Sequence, residues 1–145
     1  MKDIDILKTV AELELASEER YAEQVSRICD RELKELLAEL KEEKRRHKQE
    51  CAVLMKYFDP KLDISDFDNT VDMELNTLLC ASMPDLITFL EADIATELDS
   101  KKEYERMIKK LKDDKLANII ANFIVDIDTH IEKIHTALNK MRGDE

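Results

Sequence analysis

The chain is poor in the features that β-rich, membrane-spanning and nucleic-acid-binding proteins need. It has one glycine and two prolines in 145 residues, which leaves few turn positions and disfavours a hairpin-rich all-β fold. No stretch approaches the roughly 18–20 apolar residues that cross a bilayer, and acidic residues interrupt the N-terminus where a signal peptide needs an apolar core. The net charge of −11 disfavours nucleic acid, because phosphate binding needs clustered Lys and Arg.

Cysteine is sparse as well, and its spacing suggests no pairing. Cys29, Cys51 and Cys80 are odd in number, lie far apart and form no CxxC motif. This pattern favours free thiols over a disulfide framework or a cysteine zinc site. We therefore predict no disulfides and a cytoplasmic location.

Helix-forming residues at helical spacing make up most of the chain. Leu, Glu, Lys, Asp, Ile and Ala dominate, and apolar residues recur every three to four positions over long windows. The pattern predicts one all-α domain over residues 1–145, with four long helices at about 3–29, 31–57, 83–111 and 114–141.

Capping residues and a change of composition predict how these helices connect. Asp30 can cap the second helix, and Asp113 or Asp114 can begin the last one. Ser82 lies three residues before Asp85, a spacing typical of a capping box. Residues 58–82 contain a proline and several aspartates, which predicts a long crossover with a short amphipathic helix at about 71–81. The result would be two antiparallel hairpins joined by one crossover.

The two halves of the chain also resemble each other. A shift of 83 residues aligns them without a gap, and it pairs several polar residues: Glu14 with Glu97, Ser17 with Ser100, Tyr21 with Tyr104, Glu43 with Asp126, and His47 with His130. Any two amphipathic hairpins of equal length would match at apolar positions, but not at these polar ones. The repeat predicts a pseudo-twofold bundle.

Two glutamates and two histidines lie on otherwise apolar helix faces, one on each long helix: Glu14, His47, Glu97 and His130. Burying an unpaired carboxylate costs several kcal/mol unless it is paired, hydrogen-bonded or bound to a metal. Carboxylate oxygens and imidazole nitrogens suit iron, manganese or zinc. We expect the four side chains to meet at the centre of the bundle as candidate metal ligands.

The repeated motif resembles the ferritin-like superfamily, and rubrerythrin-type proteins most closely. It reads Glu14, Ser17, Tyr21, Asp30, Leu33, His47, and again Glu97, Ser100, Tyr104, Asp113, Leu116, His130. The resemblance covers nearly the whole chain except the crossover. It implies a ferritin-like four-helix bundle, iron binding by the four candidate ligands, and oxidoreductase chemistry on oxygen or peroxide. A rubredoxin module would need paired CxxC motifs and is absent from this sequence.

Two positions depart from the family's pattern. The family carries a glutamate three residues before each ligating histidine, and those positions here hold Lys44 and Ile127. These glutamates would bridge the two irons, so the resemblance implies an altered centre. Lys44 could place its ammonium in the space of the missing metal and pair with Glu14 or Glu97. Alternatively, it could turn outward and leave room for one metal.

Acidic and aromatic residues accompany the candidate ligands. Glu43 and Asp126 lie four residues before the two histidines. In comparable sites such an acid hydrogen-bonds the ligating imidazole, and the i,i+4 spacing would also let it share a metal with its own histidine. Tyr21 and Tyr104 could donate hydrogen bonds to the glutamates, or be core tyrosines with satisfied hydroxyls.

Three functional hypotheses remain open. The first is a bundle that binds iron or another divalent metal, and the second is the same bundle without metal in a structural or protein-interaction role. The third is an acidic helical adaptor unrelated to ferritins. Enzymatic activity is left open. Glu132-x-x-His135 and the run Lys41–Arg46, apart from Lys44, predict solvent-exposed faces.

The last helix carries more apolar residues than one buried face needs. We expect that a single bundle cannot take in all of Ile119, Ile120, Phe123, Ile124 and Val125. A homodimer through this helix is therefore predicted, with no nucleic-acid or membrane partner.

Overall fold

A computed structural model describes residues 2–71 and 80–143, and the regular structure within these ranges is helical. Within these ranges, four long helices and one short one follow in order: α1 Asp3–Ser26, α2 Arg31–Phe58, α3 Ser65–Asp68, α4 Met83–Ile108 and α5 Asp114–Met141. The all-α prediction is confirmed. Each long helix begins and ends within three residues of its predicted bounds.

The predicted capping residues begin the helices. The Asp30 carboxylate accepts a hydrogen bond from the backbone N–H of Leu33, 3.0 Å away, at the start of α2. At the start of α4, Ser82 Oγ accepts from the N–H of Asp85 at 3.3 Å. Asp113 caps α5 in the same way. Each side chain satisfies an N–H group that has no partner within its helix, which fixes where the helix starts.

The core consists of two apolar clusters with a polar layer between them. One cluster joins the start of α1 to the end of α2, and the end of α4 to the first half of α5. The other joins the end of α1 to the start of α2, and the start of α4 to the end of α5. In each pair, therefore, α1 with α2 and α4 with α5, the helices run antiparallel. The polar layer lies halfway along all four long helices.

The prediction of no disulfides is wrong. Cys29 and Cys80 form a disulfide, with their Cα atoms 5.6 Å apart and a sequence separation of 51 positions. The backbone N–H of Ala81 also donates to the carbonyl of Arg27 at 2.8 Å, so the end of the crossover lies against the turn between α1 and α2. Sequence spacing gave no sign of this contact because it depends on the path of the crossover. Cys51 is a buried free thiol. The cytoplasmic location stays a prediction, but the argument from unpaired cysteines no longer supports it.

The crossover is described only in part. Residues 59–71 contain α3, a four-residue helix in the segment predicted as loop, and its Phe67 packs into the core. The amphipathic helix predicted at about 71–81 falls on residues 72–79, which lie outside the described residues. Among the helices described, none is long and apolar enough to cross a membrane.

The apolar surface of α5 is mostly taken up by the chain itself. Ile120 and Phe123 are buried, while Ile119 and Ile124 are partly buried against the core. Only Val125 of the five apolar residues is largely exposed, at 61%. The chain thus covers four of the five wholly or partly, and the expectation that one bundle cannot take in all of them holds only through Val125. The homodimer stays a prediction without that support.

Candidate functional site

The four candidate ligands meet in the polar layer. Glu14 on α1, His47 on α2, Glu97 on α4 and His130 on α5 are each 5% exposed or less. Nδ1 of His47 lies 3.4 Å from Glu14, and Nδ1 of His130 lies 3.6 Å from Glu97. Helical spacing puts each residue on the inner face of its helix, so the antiparallel pairing brings all four to the same level. We call these four residues and Lys44 the central polar layer.

Lys44 points into the middle of this layer. Its side chain is 1% exposed, and its Nζ lies 3.0 Å from both carboxylate oxygens of Glu97 and 3.8 Å from Glu14. Of the two orientations that the sequence allowed, the structure has the inward one. A buried ammonium is stable only beside compensating charge, and the two glutamates supply it.

Each of the two tyrosines binds the glutamate of the opposite half of the chain. The Tyr21 hydroxyl donates to Glu97 and the Tyr104 hydroxyl donates to Glu14, both at 3.0 Å. Residues that match under the 83-residue shift therefore make matching contacts, which supports a real internal repeat. Burial is the main reason that the pKa of each tyrosine lies well above its usual value, with nearby carboxylates adding to it. Both hydroxyls thus remain donors at neutral pH.

The outer nitrogen of each histidine faces an acid on the other helix pair. His47 Nε2 lies 2.8 Å from Asp126 on α5, and His130 Nε2 lies 3.0 Å from Glu43 on α2. The acids thus contact the histidine of the opposite half, and not the one four residues along their own helix. The His47 ring also stacks on Phe123, with centroids 4.0 Å apart, which holds its orientation.

The charges in this layer shift two pKa values. Burial raises the pKa of Glu97, but His130 and Lys44 outweigh burial and hold it at about 2. Burial lowers the pKa of His47, but the carboxylates of Glu14 and Asp126 outweigh this and raise it above its usual value. At neutral pH, Glu97 is therefore ionised and balances the ammonium beside it.

The central polar layer does not fit a di-iron centre. A di-iron centre needs bridging carboxylates, and the two positions expected to carry them hold Lys44 and Ile127, which is fully buried. An ammonium 3.0 Å from Glu97 occupies the space beside the carboxylate where a cation would bind, and it would repel a divalent ion there. The donor set lacks two ligands and already contains one fixed positive charge.

A second buried ion pair was missed by the sequence analysis. Lys48 and Glu18 are both 0% exposed and hydrogen-bonded to each other, and Lys41 is 6% exposed beside them. The backbone N–H of Val71 donates to Glu18 at 3.0 Å, and Lys48 donates to the carbonyl of Asn69 at 2.6 Å. The prediction that Lys41 faces solvent is therefore wrong. The crossover packs over this side of α1 and α2, and helical periodicity alone could not predict that contact.

A third polar group joins α1 to α4. Asp93 is fully buried, and its Oδ1 accepts from Arg20 at 3.0 Å and from Gln24 at 2.8 Å. Burial outweighs these partners and raises the pKa of Asp93 to about 6. Asp93 breaks the apolar stripe of α4, which was the signal that could have identified it.

The weaker candidates lie apart from this region. Glu132 and His135 are exposed on α5, as predicted. Cys51 is buried in an apolar cluster, and burial raises the pKa of its thiol well above the usual value. A thiol that stays protonated is a poor nucleophile.

No family model, curated protein or solved structure matches this chain in the comparisons made with them.

Proposed function

We propose that the chain is a ferritin-like four-helix bundle whose centre is held together by ion pairs in place of metal, and that it serves a structural or protein-interaction role. The observation that carries this proposal is the Lys44 ammonium, 1% exposed and 3.0 Å from Glu97. Four buried side chains of metal-ligand type line this layer, while the positive charge between them comes from the protein itself.

The contacts of this layer join the two helix pairs. Tyr21 and Lys44 of the first pair bind Glu97 of the second, and Tyr104 of the second pair binds Glu14 of the first. Buried polar networks of this kind restrict how helices pack, because any other register leaves charges without partners. The layer therefore supports a role in fixing the alignment of the helix pairs.

The proposal is tested by restoring the missing carboxylates. Lys44→Glu together with Ile127→Glu should create iron binding, with about two iron ions per chain in metal analysis, as expected for a di-iron donor set. Adding Glu97→Gln to this variant should remove that iron. The unmodified protein should hold no metal that is lost on Glu97→Gln, while circular dichroism checks that each variant is folded. Metal in the unmodified protein that depends on Glu14 or Glu97 would refute the proposal.

A second candidate is iron binding with oxidoreductase chemistry at the central polar layer. The observation in its favour is that Glu14, His47, Glu97 and His130 meet, and that the inner nitrogens of both histidines have no hydrogen-bond partner among the described residues. It requires Lys44 to leave the layer. The same metal analysis distinguishes the two candidates, because only this one predicts iron in the unmodified protein that is lost on Glu97→Gln.

A further inference from the structure

Two pairs of metal-ligand-type side chains face each other where α2 packs against α5, on the outer side of the two histidines. Glu43 and His47 are four residues apart on α2, and Asp126 and His130 are four residues apart on α5. Residues at this spacing lie on the same helix face. We call these four residues the seam cluster; it uses the Nε2 atoms of the histidines, whereas the central polar layer is faced by their Nδ1 atoms.

The distances in the seam cluster suit a single ion. Glu43, His47 and Asp126 each offer a ligand atom within 4.8 Å of the other two. A tetrahedral ion with bonds of about 2.1 Å separates its ligands by about 3.4 Å. His130 Nε2, 3.0 Å from Glu43, could add a fourth ligand. Small side-chain movements would therefore place all four donors around one ion.

A buried nitrogen without a hydrogen-bond partner points to the same place. His130 is 1% exposed, and its Nε2 has no hydrogen-bond partner among the residues that the structure describes, although it lies 3.0 Å from Glu43. Buried polar atoms are nearly always satisfied. A metal bound to this nitrogen would satisfy it and would accept the Glu43 carboxylate as well.

Charge and access also favour a divalent cation. Two carboxylates and two neutral imidazoles would neutralise an ion of charge +2, and such a mixed oxygen and nitrogen set is typical of zinc. The carboxylates lie on the solvent side, with side-chain exposures of 39% for Asp126 and 19% for Glu43, while the histidines lie behind them. An ion could enter past the acids and reach the imidazoles.

From this geometry we infer that the seam cluster binds one divalent cation of the zinc type, held by His47 Nε2, His130 Nε2, Asp126 and Glu43. The ion would join α2 to α5, and so the first helix pair to the second. This site is separate from the central polar layer, and Lys44 can keep its place beside Glu97 while the site is filled.

The test is titration of chelator-treated protein with Zn²⁺ alone, followed by calorimetry. We expect one Zn²⁺ per chain, with at least tenfold weaker binding in Asp126→Asn and in Glu43→Gln. His135→Ala is the matched control, because His135 is an exposed histidine on α5, the helix that carries Asp126 and His130. Zn²⁺ binding should be unchanged in this variant. Titration with Co²⁺ should give visible absorption typical of four- or five-coordinate ions in the unmodified protein, and Asp126→Asn should lose it.

The outcomes separate this inference from the proposed function. Absence of Zn²⁺ binding by the folded protein, or equal binding by Asp126→Asn, would overturn the seam site and leave the role of Lys44 untouched. Zinc binding that is lost in Glu97→Gln but kept in Asp126→Asn would place the ion in the central polar layer. That result would contradict both the seam site and the proposed metal-free centre. Loss in His135→Ala alone would show a surface histidine site and would also overturn the inference.

Discussion

Replacing Lys44 by methionine removes the one ammonium of the central polar layer and keeps a side chain of similar length. In the unmodified protein this ammonium lies 3.0 Å from Glu97 and 3.8 Å from Glu14, with both carboxylates essentially buried. Removing one partner of a buried charge pair leaves the other uncompensated and typically costs about 3–5 kcal/mol. For a domain of this size, that loss lowers Tm by roughly 10–15 °C.

Urea unfolding at pH 7 measures this loss, and two further variants interpret it. Lys101→Met is the control, since Lys101 pairs with Asp128 at an exposed site and should cost at most about 1 kcal/mol. Combining Lys44→Met with Glu97→Gln should recover part of the loss, because the carboxylate that was left unpaired is then neutral. A cost below about 1 kcal/mol for Lys44→Met, with no coupling to Glu97→Gln, would show that the ammonium does not balance these carboxylates.

Three other predictions concern pH, the disulfide and the second ion pair. The pKa of Glu97 is about 2 in the folded protein against a usual 4.5, so this group contributes stability above pH 4.5 that is lost as the pH falls towards 2. In urea unfolding between pH 4.5 and pH 2, the free energy of unfolding of the unmodified protein should therefore fall by about 3 kcal/mol more than that of Glu97→Gln. Reducing the disulfide between Cys29 and Cys80 opens a loop closed across a sequence separation of 51 and should lower the free energy of unfolding by about 4 kcal/mol in the chain-entropy model, whereas a Cys29→Ser/Cys80→Ser variant should not respond to reductant. Lys48→Met should cost about 3 kcal/mol in thermal unfolding because it leaves buried Glu18 with only the more distant ammonium of Lys41, 3.9 Å away, and a loss within about 0.5 kcal/mol would contradict the burial of this pair.

The helices and the inner face of the candidate site could be predicted from the sequence. Helical periodicity and the capping side chains of Asp30, Ser82 and Asp113 are local signals, so they determine where the helices lie. The same periodicity put Glu14 and His47 among apolar residues, which identified them as buried. The 83-residue repeat then indicated that their counterparts in the second half meet them.

Several contacts could not be predicted because they depend on groups distant in sequence. Lys48 and Glu18 look like surface residues of amphipathic helices until the crossover covers them. The pairing of His47 with Asp126, and not with Glu43 of its own helix, depends on how α2 and α5 pack. Both cases are contacts between different segments of the chain, which the residue pattern of a single helix cannot indicate.

By itself, the sequence determined that this chain is helical, where its long helices begin and that the four candidate ligands lie on their buried faces, because backbone hydrogen bonds and side-chain periodicity act over a few residues. The tertiary structure alone decided that Cys29 lies against Cys80, that the acids contact histidines of the opposite half, and that Lys44 turns inward. The physical reason is that a lysine side chain can reach either solvent or the core, and only the carboxylates brought to it by α1 and α4 make the buried position favourable.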